Sequence, residues 1–264
     1  MNEPLKILAI GNSFSQDATR YLEAAGEAGG RPVLARNLYI PGCSLERHAE
    51  NLRHRAYEYE YQKDGEHLFS TILPDRKKGV SIRMALAMEE WDIVTVQQVS
   101  HLAGVYESYF PWLSEILSVV RAERPRAAIW FHGTWAYEPD CRREQFAQYR
   151  YDAAEMTKAV LLTTERVAGQ FGLPVIPVGA LVAALREKPA FDPAQGGVSL
   201  CRDGFHLSFD YGRYAAALVW YRALAGGSVK GLPFSPEGAE PSLVDLIQET
   251  VEQVVGRAVG AAAV

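Results

Sequence analysis

A chain of 264 residues can form one large α/β domain with a well-buried core, or two small ones. Apolar content of 48% and charged content of 22% are ordinary for a globular protein, and no apolar run reaches the length of a bilayer span. A net charge of −5 speaks against a nucleic-acid partner, which calls for a basic face. The opening "PLKILAI" is too short and too acidic in front for a signal peptide, so a cytoplasmic location is expected. Cys43, Cys141 and Cys201 are widely spaced and odd in number, without a disulfide framework or a CxxC pattern, and are expected to be free thiols.

The first strand-like run is "KILAIG", which ends in "GNSFS" at residues 11–15. A helical pattern follows from about Asp17 to Gly29, and "VLARNLYI" is the second strand. Tyr57, Tyr59 and Tyr61 then recur at period two before Lys63-Asp64-Gly65, a turn signal. This predicts a β-hairpin insertion near residues 55–75, whose tyrosines either pack an edge or line a site rim. Helical patterns cover Val80 to Trp91, Tyr106 to Glu123 and Arg143 to Phe171, and they alternate with "DIVTVQQ", "AAIWFHG" and "LPVIPVG" as strands three to five. In "SFDYGRYAAALVWYRALAG" Tyr211, Ala215, Leu218, Val219 and Arg222 share a helix face, with Ser208 as a candidate N-cap. A last helix, near residues 242–259, is expected on the periphery.

The strand runs are continuously apolar, as suits strands buried on both faces. No internal repeat or low-complexity linker divides the chain. Strand–helix alternation therefore predicts one domain over residues 1–264, a three-layer α/β/α sandwich around a five-stranded, mostly parallel sheet.

In open α/β sheets the site lies beyond the carboxyl ends of the strands. Those ends carry Gly11-Asn12-Ser13, Pro41-Gly42-Cys43-Ser44, Gln97-Gln98 and His132-Gly133-Thr134-Trp135, and a later loop reads "RDGFHLS" with Asp203 and His206. Each part has a use in acyl transfer. A serine hydroxyl is a weak nucleophile until a base takes its proton, and imidazole titrates near neutral pH. Asp203, three residues before His206, can reach the imidazole Nδ1 and hold its tautomer. The backbone N–H groups of Ser13 and Gly42, with one side-chain amide, can receive a developing oxyanion. Taken singly, Ser13 is more often a helix N-cap or phosphate contact, and Gly42 a turn glycine.

Together these residues resemble the SGNH (GDSL-like) hydrolases. "GNSFS" is similar to their first block, usually "GDS", with Ser13 as nucleophile. Gly42 matches the second-block glycine, and "DGFHLS" the last block, Asp-x-x-His, with Asp203 and His206. The likeness runs from the first strand to the last core helix, and is strongest to a bacterial branch with a GNSFS start and a DxxHLS end. Asn12 stands where Asp is usual; either can hold the turn. The third block, "GxND", is absent, and "VTVQQVSH" stands in its place. Related sialate and acetylxylan esterases carry a glutamine there, in "QGE". By that analogy Gln97 is the third oxyanion donor and Gln98 the second choice; strand alternation lets only one of them face the site.

The resemblance implies a serine esterase for short acyl groups, including O-acetyl groups on carbohydrates. It implies a small-molecule or carbohydrate ester substrate, and no cofactor, metal, nucleic acid or membrane. Asn12, Gln98, His101, His132 and Trp135 are candidates for the pocket lining. Two other readings stay open: a lipase or thioesterase for longer acyl chains, and a non-catalytic, carbohydrate-binding relative, which the altered third block favours.

Overall fold

The first strand, β1 (Leu5–Gly11), sits at the middle of the sheet. A computed structural model describes residues 3–68 and 79–261. β1 pairs in parallel with β2 (Val33–Tyr39) on one side and β5 (Ile93–Val96) on the other, and β6 (Ala128–His132) and β7 (Val175–Ile176) extend that second side in parallel. At the far edge, β3 (Glu60–Lys63) and β4 (Glu66–His67) form an antiparallel hairpin. The order is β4-β3-β2-β1-β5-β6-β7. The five parallel strands are those read from the sequence. The sheet has seven strands rather than five, because the hairpin continues it through the Asn37–Gln62 pairing. The part of the hairpin insertion beyond residue 68 lies outside the described residues.

Alternation along β1 explains the two cores. Ile7 and Ala9 point to one face, Leu8 and Ile10 to the other, and each pair joins a separate apolar cluster. The first face carries α1 (Ser13–Thr19), α2 (Leu22–Ala28), α7 (Val178–Arg186), α8 (Tyr211–Trp220) and α9 (Pro241–Ala261). The second carries α3 (Leu45–His54), α4 (Ile82–Met88) and α5 (Trp112–Glu123). α6 (Ala153–Phe171) serves both, Met156 and Val160 on one side and Val167 and Ala168 on the other.

Several boundaries differ from the sequence reading for local reasons. The stretch read as one helix from Asp17 to Gly29 is two, and the first begins at Ser13. The pattern from Tyr106 contains a 3-10 turn, Tyr106–Tyr109, and α5 starts only after Phe110, which precedes a proline and is extended. The long pattern from Arg143 likewise opens with a 3-10 turn, and Asp152 caps α6 by accepting from the Ala154 and Glu155 N–H groups. Asp210, not Ser208, stands at the N-cap of α8, while Ser208 Oγ accepts from Gly212 N–H one turn in. The last helix lies in the outer layer and packs on the first core through Ile247 and Val251, which are wholly buried. Tyr59 and Tyr61 are buried in the second core, so they do not form a rim, and Tyr57 is exposed.

Candidate active site

The polar end of β1 folds as it does because Asn12, not Ser13, caps α1. Asn12 Oδ1 accepts from Phe14 N–H at 2.9 Å, and the Asn12 N–H donates to Ser15 Oγ at 3.1 Å, a reciprocal capping box. Ser15 Oγ in turn donates to Asn37 Oδ1 at 2.7 Å. With the cap made by its neighbour, Ser13 begins the helix with its hydroxyl unused by the backbone. That hydroxyl lies 2.9 Å from His206 Nε2.

His206 sits at the tip of a short loop whose neck is closed by the Cys201–Leu207 bridge and by Arg202 N–H donating to the His206 carbonyl at 2.9 Å. Asp203 Oδ1 accepts from His206 N–H at 2.8 Å and Phe205 N–H at 3.3 Å, and Asp203 Oδ2 lies 2.7 Å from His206 Nδ1. A carboxylate only accepts, so Nδ1 carries the proton and Nε2 is left to accept from Ser13. Burial pushes the Asp203 carboxyl up, but the hydrogen bonds from the His206 ring and backbone outweigh it and leave it below the usual range. Gly204 has φ +82°, and a Cβ there would stand 3.0 Å from Cys141 Cα. A side chain at this point would therefore meet both backbone strain and the Cys141 backbone.

Behind the tip is an aromatic stack. Phe205 lies against His206 with ring centres 3.9 Å apart, and Arg143 covers the outer face of Phe205 at 4.3 Å. Trp135 Nε1 donates to the Phe205 carbonyl at 2.8 Å, and its ring stacks on Phe14 at 4.0 Å. Phe14, next to Ser13, meets His206 edge-on. One tryptophan thus ties the Ser13 turn to the His206 loop.

The two glutamines face opposite ways. Gln97 Nε2 donates to Asn12 Oδ1 at 2.8 Å, and its Oε1 lies 2.9 Å from His132 Nδ1. The assignment starts from a backbone donor. Phe14 N–H makes Asn12 Oδ1 an acceptor, so Gln97 offers its NH2 there and its oxygen faces His132, whose Nδ1 must carry the proton. Asn12 Nδ2 donates onward to the Cys43 carbonyl at 3.0 Å, beside Gly42. Gln98 instead serves the second core: its Oε1 accepts from Leu45 and Val99 N–H, and its Nε2 donates to Ser108.

Gly42 itself has φ +60°, with nothing within 4 Å of a Cβ placed there, and its N–H makes no hydrogen bond among the described residues. Asn12, Gln97, Gln98, His132 and Trp135 are each at most 1% exposed, so none of the five presents an open surface, and hydrogen bonding rather than exposure distinguishes Gln97, whose amide reaches Asn12 beside Ser13. Burial lowers the pKa of His132 to about 3, which keeps it neutral. His101 is half-buried on the 3-10 turn Ser100–Leu102; burial and Arg143 lower its pKa, and its carbonyl accepts from Tyr149 OH. Burial raises the pKa of all three thiols, that of Cys43 to about 12, so none of them is a ready nucleophile.

Sequence reasoning missed Asp17, Arg202 and Arg213. Asp17 is wholly buried one turn beyond Ser13 and binds both arginines; the only signal was a carboxylate four residues after the serine. A cavity of about 540 Å³ lined by Tyr106, Tyr149, Lys158 and Leu162 includes none of Ser13, Asp203 and His206. Among the described residues, no group of three or more His, Cys, Asp or Glu side chains could hold a metal ion, and no helix is long and apolar enough to cross a membrane.

Sheet order and paired helical layers give a three-layer α/β/α fold of the kind seen in SGNH hydrolases. The chain is similar in structure to a candidate SGNH hydrolase from Slackia heliotrinireducens (20% identity, TM-score 0.50, covering 82% of this chain and 97% of that one). It is also similar to LAE5, an α/β hydrolase enzyme from the metagenome of Lake Arreo (15% identity, TM-score 0.53, covering 85% and 97%). The chain belongs to the DUF4886 family, described as a domain of unknown function, which matches residues 6–252. A DUF4886 family protein from Bacteroides uniformis has 34% identity and a TM-score of 0.84, over 96% of this chain and 95% of that one. No curated protein matches the chain in sequence.

Proposed function

We propose that this protein is a serine esterase that hydrolyses short-chain acyl esters, including O-acetyl groups on carbohydrates, through an acyl-enzyme on Ser13. The observation that carries the reading is the continuous relay from Ser13 Oγ to His206 Nε2 at 2.9 Å and from His206 Nδ1 to Asp203 Oδ2 at 2.7 Å.

In this reading Ser13 Oγ attacks the ester carbonyl while His206 Nε2 takes its proton. The Asp203 carboxylate stabilises the imidazolium and keeps Nδ1–H in place. The tetrahedral oxyanion rests on the Ser13 and Gly42 N–H groups and on the Gln97 amide, which has a second N–H besides the one given to Asn12; one such donor is typically worth about 3 kcal/mol. As the intermediate collapses, the C–O bond to the alcohol breaks and His206 Nε2–H protonates the leaving oxygen. Water, deprotonated by the same imidazole, then releases the acid. The acyl size comes from the resemblance to SGNH hydrolases.

The test is hydrolysis of 4-nitrophenyl acetate and of acetylated sugars, with fluorophosphonate labelling. Wild type should turn over and label on Ser13. Ser13→Ala should lose both while keeping its melting temperature, since Ser13 packs in neither core. Equal turnover in both proteins would move the nucleophile elsewhere.

A further inference from the structure

We propose that Asp17 is a positioning residue for the reaction: from one turn beyond Ser13, this buried carboxylate grips the neck of the Asp203–His206 loop and sets the Ser13–His206 distance. The inference rests on the functional reading above.

Asp17 Oδ2 accepts from Leu207 N–H at 2.9 Å, on one side of the loop neck. Both of its oxygens accept from Arg202 Nη1 at 3.1 Å, on the other side. The same guanidinium nitrogen donates to the Leu207 carbonyl, closing the neck on itself. Asp17 Oδ1 also accepts from Arg213 Nε at 2.7 Å, which anchors it to α8. Residues four apart share a helix face, so the serine and this carboxylate move as one body with α1. The carboxylate is wholly buried and the two arginine side chains are 24% and 15% exposed. Charge-assisted bonds of this kind are short and directional, and removing one partner leaves a buried charge uncompensated.

The consequence is geometric. Ser13 and His206 are 193 residues apart, and their own contact is a single hydrogen bond. The loop neck joins α1 through Asp17, with three further donor contacts from Leu207 and Arg202. A misplacement of about 1 Å in a nucleophile–base pair can cost on the order of 10²-fold in rate. Arg202 belongs to the loop and Arg213 to α8, so the two arginines separate positioning from simple charge balance.

The experiment compares Asp17→Asn, Arg202→Gln, Arg213→Gln and the double variant Asp17→Asn/Arg202→Gln, each assayed well below its melting temperature. Asp17→Asn and Arg202→Gln are each expected to lower kcat by about 10- to 100-fold with KM within about threefold, and to slow Ser13 labelling in step. The double variant should be no worse than the weaker single, because both remove the same contact. Arg213→Gln should lower the melting temperature but cost much less in kcat. Nuclear magnetic resonance of the His206 ring nitrogens reads the loop without turnover, and both shifts should move in Asp17→Asn and Arg202→Gln. If Asp17→Asn does not fold, Arg202→Gln carries the same test from the more exposed partner. Unmoved His206 resonances with wild-type kcat would overturn the proposal, as would equal kcat losses for Arg202→Gln and Arg213→Gln. A wild-type protein that cleaves no ester sinks the functional reading instead, and the His206 resonances still decide the clamp.

Discussion

Gln97 Nε2 donates to Asn12 Oδ1 at 2.8 Å, and this one contact ties the end of β5 to the turn that presents Ser13. Asn12 is the hub. Its oxygen accepts from Phe14 N–H and Gln97, and its nitrogen donates to the Cys43 carbonyl beside Gly42. An asparagine can do both; an aspartate can only accept.

Asn12→Asp is therefore expected to destabilise the fold by about 1–3 kcal/mol, since the Cys43 carbonyl would lose its donor and face a buried charge. Urea unfolding measures it. A wild-type midpoint would mean that the turn has no need of the amide nitrogen.

Gln97→Ala and Gln98→Ala form an internal comparison of neighbours with identical chemistry. Both should cost stability, because each leaves buried groups without partners: His132 Nδ1–H in one case, Leu45 and Val99 N–H in the other. Only Gln97→Ala should also lower kcat, by about 10²-fold with little change in KM. Steady-state kinetics decides, and a kcat loss in Gln98→Ala alone would contradict the way the two side chains face.

His48 and His132 are both wholly buried, and burial lowers each pKa to about 3; for His48 the Arg47 charge adds to the effect. Unfolded, each titrates near 6.5, so between about 6.5 and 3 the unfolded chain binds protons that the native state does not. Stability should fall as pH drops through that window, by up to about 1.4 kcal/mol per pH unit for each histidine. His48→Gln should flatten the slope by up to one proton. Unfolding free energies measured from pH 7 to pH 4 that stay level would show the two rings to be charged in the native state.

Gly204 and Gly42 both have positive φ but differ in their surroundings. Gly42→Ala should cost about 1–2 kcal/mol from backbone strain alone, because its Cβ meets open space. Gly204→Ala should cost more and lower activity as well, since a Cβ would press on Cys141 and displace the loop tip that carries His206. Melting temperatures and kcat for the pair check this; equal effects would mean that the Cys141 contact yields freely.

The sequence by itself determined what short-range chemistry controls. Continuous apolar runs made five strands buried on both faces, and helical periodicity placed most of the helices between them. The spacing Asp203-x-x-His206 puts a carboxylate and an imidazole within one turn of chain. The polar ends of the strands marked where a site would form. Tertiary structure decided everything that depends on which distant segments meet. Nothing local says that Asn12 and not Ser13 caps α1, because both residue types suit the cap. The facing of Gln97 and Gln98 depends on strand register, which the β1–β5 pairing sets. Trp135 reads as a pocket residue until Phe14 and the Phe205 carbonyl bury it. Asp17 reads as an ordinary helical carboxylate, since Arg202 is 185 residues away and Arg213 is 196 away. Turn and helix preferences act over a few residues. Partners across the chain are chosen only when the sheet and its two helical layers pack.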